Sequence, residues 1–170
     1  MLGVLPGKAQ PSQKAYDRMV WAALKSFDTS RPVYIESESK KVGNVAIPEG
    51  LMSAMRRAPC LQLELPEGER VALLLEDYDF FVRDIEFFCH KLDALSQARG
   101  KQMVLDWQTR SRSGDVASVV RELLVNHYDP VYLQSMKRNF VQYSAATVIA
   151  PDNRSTAAME LLAAQLLAAP

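Results

Sequence analysis

The segment from Arg31 to Gly43, RPVYIESESKKVG, holds the chain's densest group of side chains that could do chemistry. Glu36 and Glu38 stand two residues apart, and on an extended segment such residues point to the same side. Two carboxylates on one side could hold a metal ion, with Mg²⁺ the natural candidate, or position a water molecule. We therefore predict Glu36 and Glu38 as metal ligands, with a solvated strand end as the alternative interpretation.

Two lysines and two serines adjoin these acids. Lys40 and Lys41 precede a Gly-Asn turn, where paired ammonium groups suit a diphosphate or a nucleic-acid backbone. Ser37 and Ser39 could donate hydrogen bonds to phosphate oxygens, although serines are also common turn residues. We predict these four residues as a diphosphate site, against the alternative that the lysines are ordinary surface charge.

A β-strand at Pro32 to Glu36 is predicted to position this site. Val33, Tyr34 and Ile35 are β-formers, and the acid that follows them resembles the end of a Walker-B strand. Further strands are predicted at 60–65 and 145–150. A strand, a helix and a second strand in this order indicate a parallel unit, whose site lies at the carboxyl edge of the sheet.

The rest of the pattern is helical. A helix begins at Ser12, with apolar residues at helical spacing on one face. A short helix follows Pro48, four or five helices without a strand fill residues 66 to about 138, and a last helix covers 155–168. Trp21 and Trp107 both lie in amphipathic helices, so both are predicted to be core or partly buried residues rather than base-stacking platforms.

Composition sets broad limits on function. The 170 residues carry no net charge, but residues 1–57 hold nine Lys or Arg against five Asp or Glu, so this third could face a polyanion. Apolar runs are too short to span a bilayer, and no membrane partner is expected. Cys60 and Cys89, without a pairing pattern, predict a reducing cytoplasm and burial rather than reactivity. Without CxxC or HExxH, no zinc site is predicted.

Three separated motifs occur in the order found in one enzyme family. They are QPSQKAYD, the block RPVYIESESKKVGN with the helical stretch after it, and VVRELLVNHYDPVYLQSM, which contains the turn His127 to Pro130. Together they resemble the C-terminal half of bacterial tRNA 2-selenouridine synthase, from Gln10 to about Met136. The resemblance implies one domain over 1–170, with an incomplete P-loop-like parallel sheet of about three strands and an inserted helical lobe at about 66–140.

The resemblance also implies a reaction. The family converts wobble 2-thiouridine of tRNA to 2-selenouridine through an S-geranylated intermediate, with geranyl diphosphate and selenophosphate as co-substrates and Mg²⁺ possible. Family members carry a rhodanese domain with the reactive cysteine and a Walker-A loop, and neither occurs in this sequence. We therefore expect no catalytic residue here, a partner segment upstream, and a chain inactive by itself. Arg31, Arg56 and Arg57 are expected to contact tRNA, although Arg56 and Arg57 could instead complement a helix dipole.

Two other functions remain open. The chain could be a fragment of a P-loop nucleotide kinase or NTPase, in which case a nucleotide rather than geranyl diphosphate would bind. It could also be a non-catalytic module whose helical lobe binds a protein partner. Salt-sensitive binding of tRNA would argue against that module, because counterion release makes such binding weaken steeply with salt.

Overall fold

The computed structural model describes residues 9–37 and 40–168 and has a mixed α/β architecture that is mostly helical. By its internal contacts the chain divides into two compact units. Unit 1 comprises residues 1–60 and 136–145, and unit 2 comprises residues 61–135 and 146–170.

Unit 1 consists of two helices, a hairpin and the return segment 136–145. Its elements are α1 (Gln13–Ser26), β1 (Lys41–Val42), β2 (Val45–Ala46) and α2 (Glu49–Arg57). Ser12 caps α1, as its Oγ accepts a hydrogen bond from the Ala15 N–H at 3.3 Å. Met55, Met136 and Phe140 form the buried core of this unit, with half-buried apolar neighbours around them.

Unit 2 contains the predicted helical region and a parallel pair of strands. Its strands are β3 (Leu61–Leu63) and β4 (Thr147–Ile149). Its helices are α3 (Glu67–Asp77), α4 (Asp79–Arg83), α5 (Ile85–Leu92), α6 (Ser96–Arg99), α7 (Lys101–Arg112), α8 (Val116–Leu123), α9 (Asp129–Asn139, which ends in unit 1) and α10 (Thr156–Ala168). Helix α5 packs on α7 and α3 packs on α8 around a fully buried Trp107, whose Nε1–H donates to Glu122 Oε2 at 2.9 Å.

The strands at 60–65 and 145–150 are confirmed, and they pair in parallel with Leu61 opposite Thr147. The strand predicted at Pro32 to Glu36 is wrong: residues 32–37 form no strand. The described residues therefore hold two parallel strands, and the expected third is not among them. β-propensity favours a strand only where a neighbouring backbone supplies the ladder of hydrogen bonds, and β3 and β4 supply theirs to each other.

Ion pairs between residues far apart in the sequence hold surface segments of unit 2 together. Arg154, in the segment between β4 and α10, donates to Glu69 Oε2 at 3.1 Å and to Glu76 Oε1 at 2.7 Å, both on α3. Hydrogen bonds from the Arg154 backbone N–H and guanidinium lower the pKa of Glu69, and those from the guanidinium lower the pKa of Glu76. The same two carboxylates raise the pKa of Arg154. These hydrogen bonds join residues separated by about half the chain, so no local pattern predicts them.

Candidate functional site

Residues 31–37 of unit 1 form an irregular segment after α1. The Arg31 N–H donates to the Asp28 carbonyl at 3.2 Å, which closes a turn at the end of the helix. Glu36 is exposed and Ser37 is half-buried, while Glu38 and Ser39 lie outside the described residues. Glu36 makes no ion pair with another described residue. The carboxylate is thus presented to solvent and not at the edge of a parallel sheet.

Lys40 and Lys41 belong to an antiparallel hairpin that the sequence indicated only as a turn. Lys41 pairs with Ala46 in the β1–β2 ladder, and the Ile47 N–H donates to the Lys40 carbonyl at 3.0 Å. The turn places Gly43 at φ +62°, a left-handed conformation that suits glycine at the first central position of a tight hairpin. The hairpin therefore fixes the backbone of both lysines, and both residues are exposed.

Two glutamines hold this hairpin against the start of α1, and we call them the glutamine clamp. Gln10 Nε2 donates to the Val42 carbonyl at 3.0 Å, and its Oε1 accepts from the Asn44 N–H at 2.6 Å. Gln13 makes the same two-way contact with Ala46, both bonds being 2.8 Å long. Each amide thus acts as a donor and an acceptor to a strand backbone.

Sequence reasoning missed the clamp. The only available signal was the QPSQ spacing of Gln10 and Gln13 in the first of the three motifs, which places them three residues apart beside a helix start. Spacing alone does not say which backbone a glutamine meets. The contacts span 32 to 34 residues, a distance over which only tertiary structure decides.

The three arginines predicted to contact tRNA differ in their surroundings. Arg57 and Arg31 are exposed. Arg56 is half-buried, and its Nη2 donates to Asn139 Oδ1 at 3.3 Å, while its buried Nε has no hydrogen-bond partner among the described residues. Arg56 therefore has a packing role in unit 1, and Arg57 is the freer cation of the pair at the end of α2.

The predicted metal site is represented in the described residues by Glu36 alone. In the described parts of the chain, no three His, Cys, Asp or Glu side chains lie close enough together to hold a metal ion. The residues present thus do not by themselves form a metal centre. Magnesium at Glu36 and Glu38 stays a prediction, and no step below depends on it.

A second polar cluster lies in unit 2 at the π-helical turn Leu124–Tyr128, which joins α8 to α9. His127 Nδ1 accepts a hydrogen bond from Arg99 Nε at 3.0 Å, so the neutral ring carries its proton on Nε2. Burial, and then the Arg99 charge, lowers the pKa of His127. Burial and the Arg99 charge thus both favour the neutral ring, which argues against a charged cap on the helix.

The residues after His127 are also held in place. Burial raises the pKa of Tyr128, whose ring meets that of His127 edge-on at 5.0 Å between centroids. Asp129 makes a two-pronged pair with Arg70, at 2.9 and 2.5 Å. A two-pronged pair between an arginine and a carboxylate is among the stronger charged hydrogen bonds. The main role of the cluster is therefore to hold α9 against α3.

The thiols are poor nucleophile candidates. Cys89 is buried, and burial raises the pKa of its thiol, as predicted for a packing residue. Cys60 is half-buried beside the core of unit 1.

The two tryptophans have different environments. Trp107 is buried, as predicted, whereas the prediction for Trp21 is wrong, because its side chain is 64% exposed on α1. An amphipathic pattern does not bury every large side chain of a helix, and Trp21 lies away from the apolar side that Tyr16 and Val20 share.

Comparison with known proteins identifies similar sequences. Residues 3–96 match the family model described as the tRNA 2-selenouridine synthase AAA domain. This range includes the glutamine clamp, the hairpin and the segment from Arg31 to Ser37. No solved structure is detectably similar to the chain.

Three curated relatives carry the name tRNA 2-selenouridine synthase. The protein from Marinobacter nauticus is 29% identical over 151 residues, covering 72% of this chain and 41% of that protein. Those from Aeromonas salmonicida and Hahella chejuensis are each 25% identical, over 79% and 76% of this chain and 43% and 41% of their own lengths. The chain therefore spans about two fifths of the length of these relatives.

Proposed function

Since the chain belongs to the tRNA 2-selenouridine synthase AAA-domain family, we propose that it contributes substrate binding to an enzyme that replaces sulfur by selenium in tRNA. The substrate is 2-thiouridine at the wobble position. The observation that carries the proposal is the match over residues 3–96, which contains every residue assigned here to diphosphate or tRNA. The names of the three relatives support the same substrate class.

We propose that the reaction runs through an S-geranylated uridine. The thiocarbonyl sulfur displaces diphosphate from geranyl diphosphate, so a C–S bond forms as a C–O bond breaks. Selenophosphate then attacks the same uridine carbon through selenium, so a C–Se bond forms as the C–S bond to the geranyl thiolate breaks. Water hydrolyses the Se–P bond and releases phosphate. The first step requires cations around the departing diphosphate, because negative charge accumulates on its oxygens.

Lys40 and Lys41 are the cations proposed for the diphosphate, with Ser37 and Ser39 as hydrogen-bond donors. The glutamine clamp supports this assignment, since it holds the hairpin that carries both lysines while the lysine side chains stay exposed. Preorganised cations bind a diphosphate at less entropic cost than cations on a free loop. We propose that Arg31, Arg56 and Arg57 contact the tRNA.

The selenium-transfer chemistry is proposed to need residues of the longer protein. The buried Cys89 thiol supports this view, because its raised pKa leaves little thiolate for attack. The chain alone is accordingly proposed to bind its substrates without turning them over.

The test is calorimetric titration of the whole 170-residue chain with pyrophosphate, geranyl diphosphate and ATP. The variant Lys40→Gln/Lys41→Gln removes both ammonium groups, and Lys101→Gln/Lys137→Gln is the control, since both of its lysines are exposed on other helices. We expect the site variant to bind geranyl diphosphate at least tenfold more weakly, because a hydrogen bond to a charged group contributes about 1.5–3 kcal/mol.

Equal affinities of the two double variants would refute the assignment of the lysines. Binding of ATP without any response to geranyl diphosphate would favour a nucleotide kinase or NTPase in place of this reaction. Binding of none of the three would refute the diphosphate role of the chain.

A further inference from the structure

Helix α1 has two opposite faces with different chemistry. Tyr16, Val20, Ala23 and Phe27 recur at spacings of four, three and four residues, which forms one apolar side. A second set recurs with the same spacing on the opposite side of the helix. It consists of Lys14, Arg18, Trp21 and Lys25, and we call it the basic stripe.

The basic stripe is solvent-exposed. All four of its residues are exposed, and the Trp21 side chain is 64% exposed. Lys25 Nζ lies 5.5 Å from the centroid of the Trp21 ring, within the range of a cation–π contact. The stripe thus joins an aromatic surface to a positive charge.

Among the described residues, the cations of the basic stripe have no carboxylate partner. Lys14, Arg18 and Lys25 form no ion pair with any carboxylate of the described residues. In unit 2, by contrast, Arg112 and Arg154 are held by carboxylates on other helices. Asp17 lies on the same helix, and its Oδ1 accepts a hydrogen bond from Gln13 Nε2 at 2.7 Å.

We propose that the basic stripe binds RNA, with Trp21 stacked on an unpaired base and the three cations on phosphates along one strand. From residue 14 to residue 25 a helix rises roughly 16 Å. That length matches about five stacked nucleotides at 3.4 Å each along one strand. Proteins that hold single-stranded nucleic acid combine these two features, a line of cations and an exposed aromatic ring.

The arrangement fits RNA better than a membrane surface. A helix that lies in a membrane interface places its tryptophan on the apolar face, with its cations on the other. Here Trp21 shares the face of the cations, about 40° of helical rotation from Lys25 and about 140° from Tyr16 on the apolar side. The inference rests on the proposed function for its substrate class, and it assigns a contact surface separate from Arg31, Arg56 and Arg57.

The experiment measures binding of the full chain to a fluorescently labelled tRNA transcript with uridine at the wobble position, over a range of salt concentrations. One variant is Lys14→Gln/Arg18→Gln/Lys25→Gln. Its control is Lys101→Gln/Lys137→Gln/Arg138→Gln, which removes the same two lysines and one arginine from exposed positions elsewhere. A third variant, Trp21→Ala, removes the ring alone.

We expect the stripe variant to bind at least tenfold more weakly than its control. Its plot of log affinity against log salt should also be shallower by about 2, because each lost phosphate contact on a single strand contributes about 0.7. Trp21→Ala should weaken binding at least fivefold without changing that slope, since stacking contributes about 1–3 kcal/mol per base. Circular dichroism of each variant checks that α1 is intact.

Two results would overturn the proposal while the proposed function stands. In one, the wild-type chain binds tRNA and the stripe variant matches its control in affinity and slope. In the other, the stripe variant changes the sedimentation coefficient of the chain and leaves tRNA affinity unchanged, which would assign the stripe to a protein contact. Failure of the wild-type chain to bind tRNA even at low salt would instead refute the tRNA role in the proposed function.

Discussion

Gly43→Ala tests whether the glutamine clamp positions Lys40 and Lys41. The substitution acts at the one residue where the hairpin turn needs a positive φ, at +62°. A Cβ built at this position would lie 2.1 Å from Gln10 Nε2 and 2.6 Å from Gln10 Cδ. Alanine therefore strains the turn and displaces one of the two glutamines of the clamp.

The size of the effect follows from two contributions. An L-residue in the left-handed region costs about 1–2 kcal/mol. Displacing Gln10 removes its bonds to Val42 and Asn44, and each hydrogen bond contributes about 0.5–1.5 kcal/mol. Alanine also restricts the unfolded chain more than glycine does, which offsets about 0.4–1 kcal/mol of the loss in stability. The hairpin should thus lose about 1–4.6 kcal/mol of local stability.

Native-state hydrogen exchange followed by NMR measures this loss locally. The Ala46 N–H donates to Gln13 Oε1 and the Ile47 N–H donates to the Lys40 carbonyl, so both amides report opening of the hairpin. Their exchange should accelerate roughly 5- to 2,000-fold, at tenfold per 1.4 kcal/mol, or until protection is lost altogether. The affinity for geranyl diphosphate should fall in parallel.

Gly50→Ala is the matched control. Gly50 lies in α2 of the same unit, and a Cβ there meets nothing within 4 Å, so alanine should leave the hairpin amides unchanged. In a Gln10→Ala background, Gly43→Ala should cost only the backbone contribution of about 1–2 kcal/mol. Equal exchange rates in Gly43→Ala and Gly50→Ala would refute the reasoning, as would an undiminished effect of Gly43→Ala in the Gln10→Ala background.

Three further predictions concern unit 2 and the thiols. Leu92→Ala, at a side chain with no exposed surface, should lower the free energy of unfolding by about 2–5 kcal/mol in urea, whereas Leu105→Ala, at an exposed position, should change it by under about 1 kcal/mol. The pKa of His127 is lowered on folding, so wild-type stability should fall as pH drops below the ordinary value of 6.5, and His127→Gln should reduce that fall; identical pH profiles would contradict it. Cys89 should react with a thiol reagent only on unfolding and more slowly than Cys60, and fast labelling of Cys89 in the native chain would contradict its burial.

Much of the helical part could be predicted from local pattern. The apolar stripe of Val116, Val119 and Leu123 predicted a helix after Asp115, and the structure has α8 there. The structure also shows what the stripe did not indicate, a π-helical turn that carries the chain directly into α9. A helix satisfies its own backbone hydrogen bonds, which is why residues within one turn of each other contain its signal.

The sequence indicated which residues belong to the candidate site, but it did not indicate how the backbone arranges them. The sequence singled out Glu36, Lys40 and Lys41, but it placed them at the end of a parallel strand, whereas the described lysines lie on an antiparallel hairpin. Val33 and Ile35 have the β-branched character of a buried strand, yet each is over two fifths exposed in an irregular segment. A strand needs a neighbouring backbone, and residue type does not say whether that neighbour is present.

The sequence by itself determined the family, the helical character of residues 67–139 and the two strands that pair in parallel. Tertiary structure alone decided that two glutamines hold the hairpin and that Trp21 is exposed, although the sequence predicted burial for it as it did for Trp107. The division has a physical cause. Helical periodicity is set by contacts three or four residues apart, whereas burial and clamp contacts depend on which distant segments meet, and no local pattern of residues specifies that meeting.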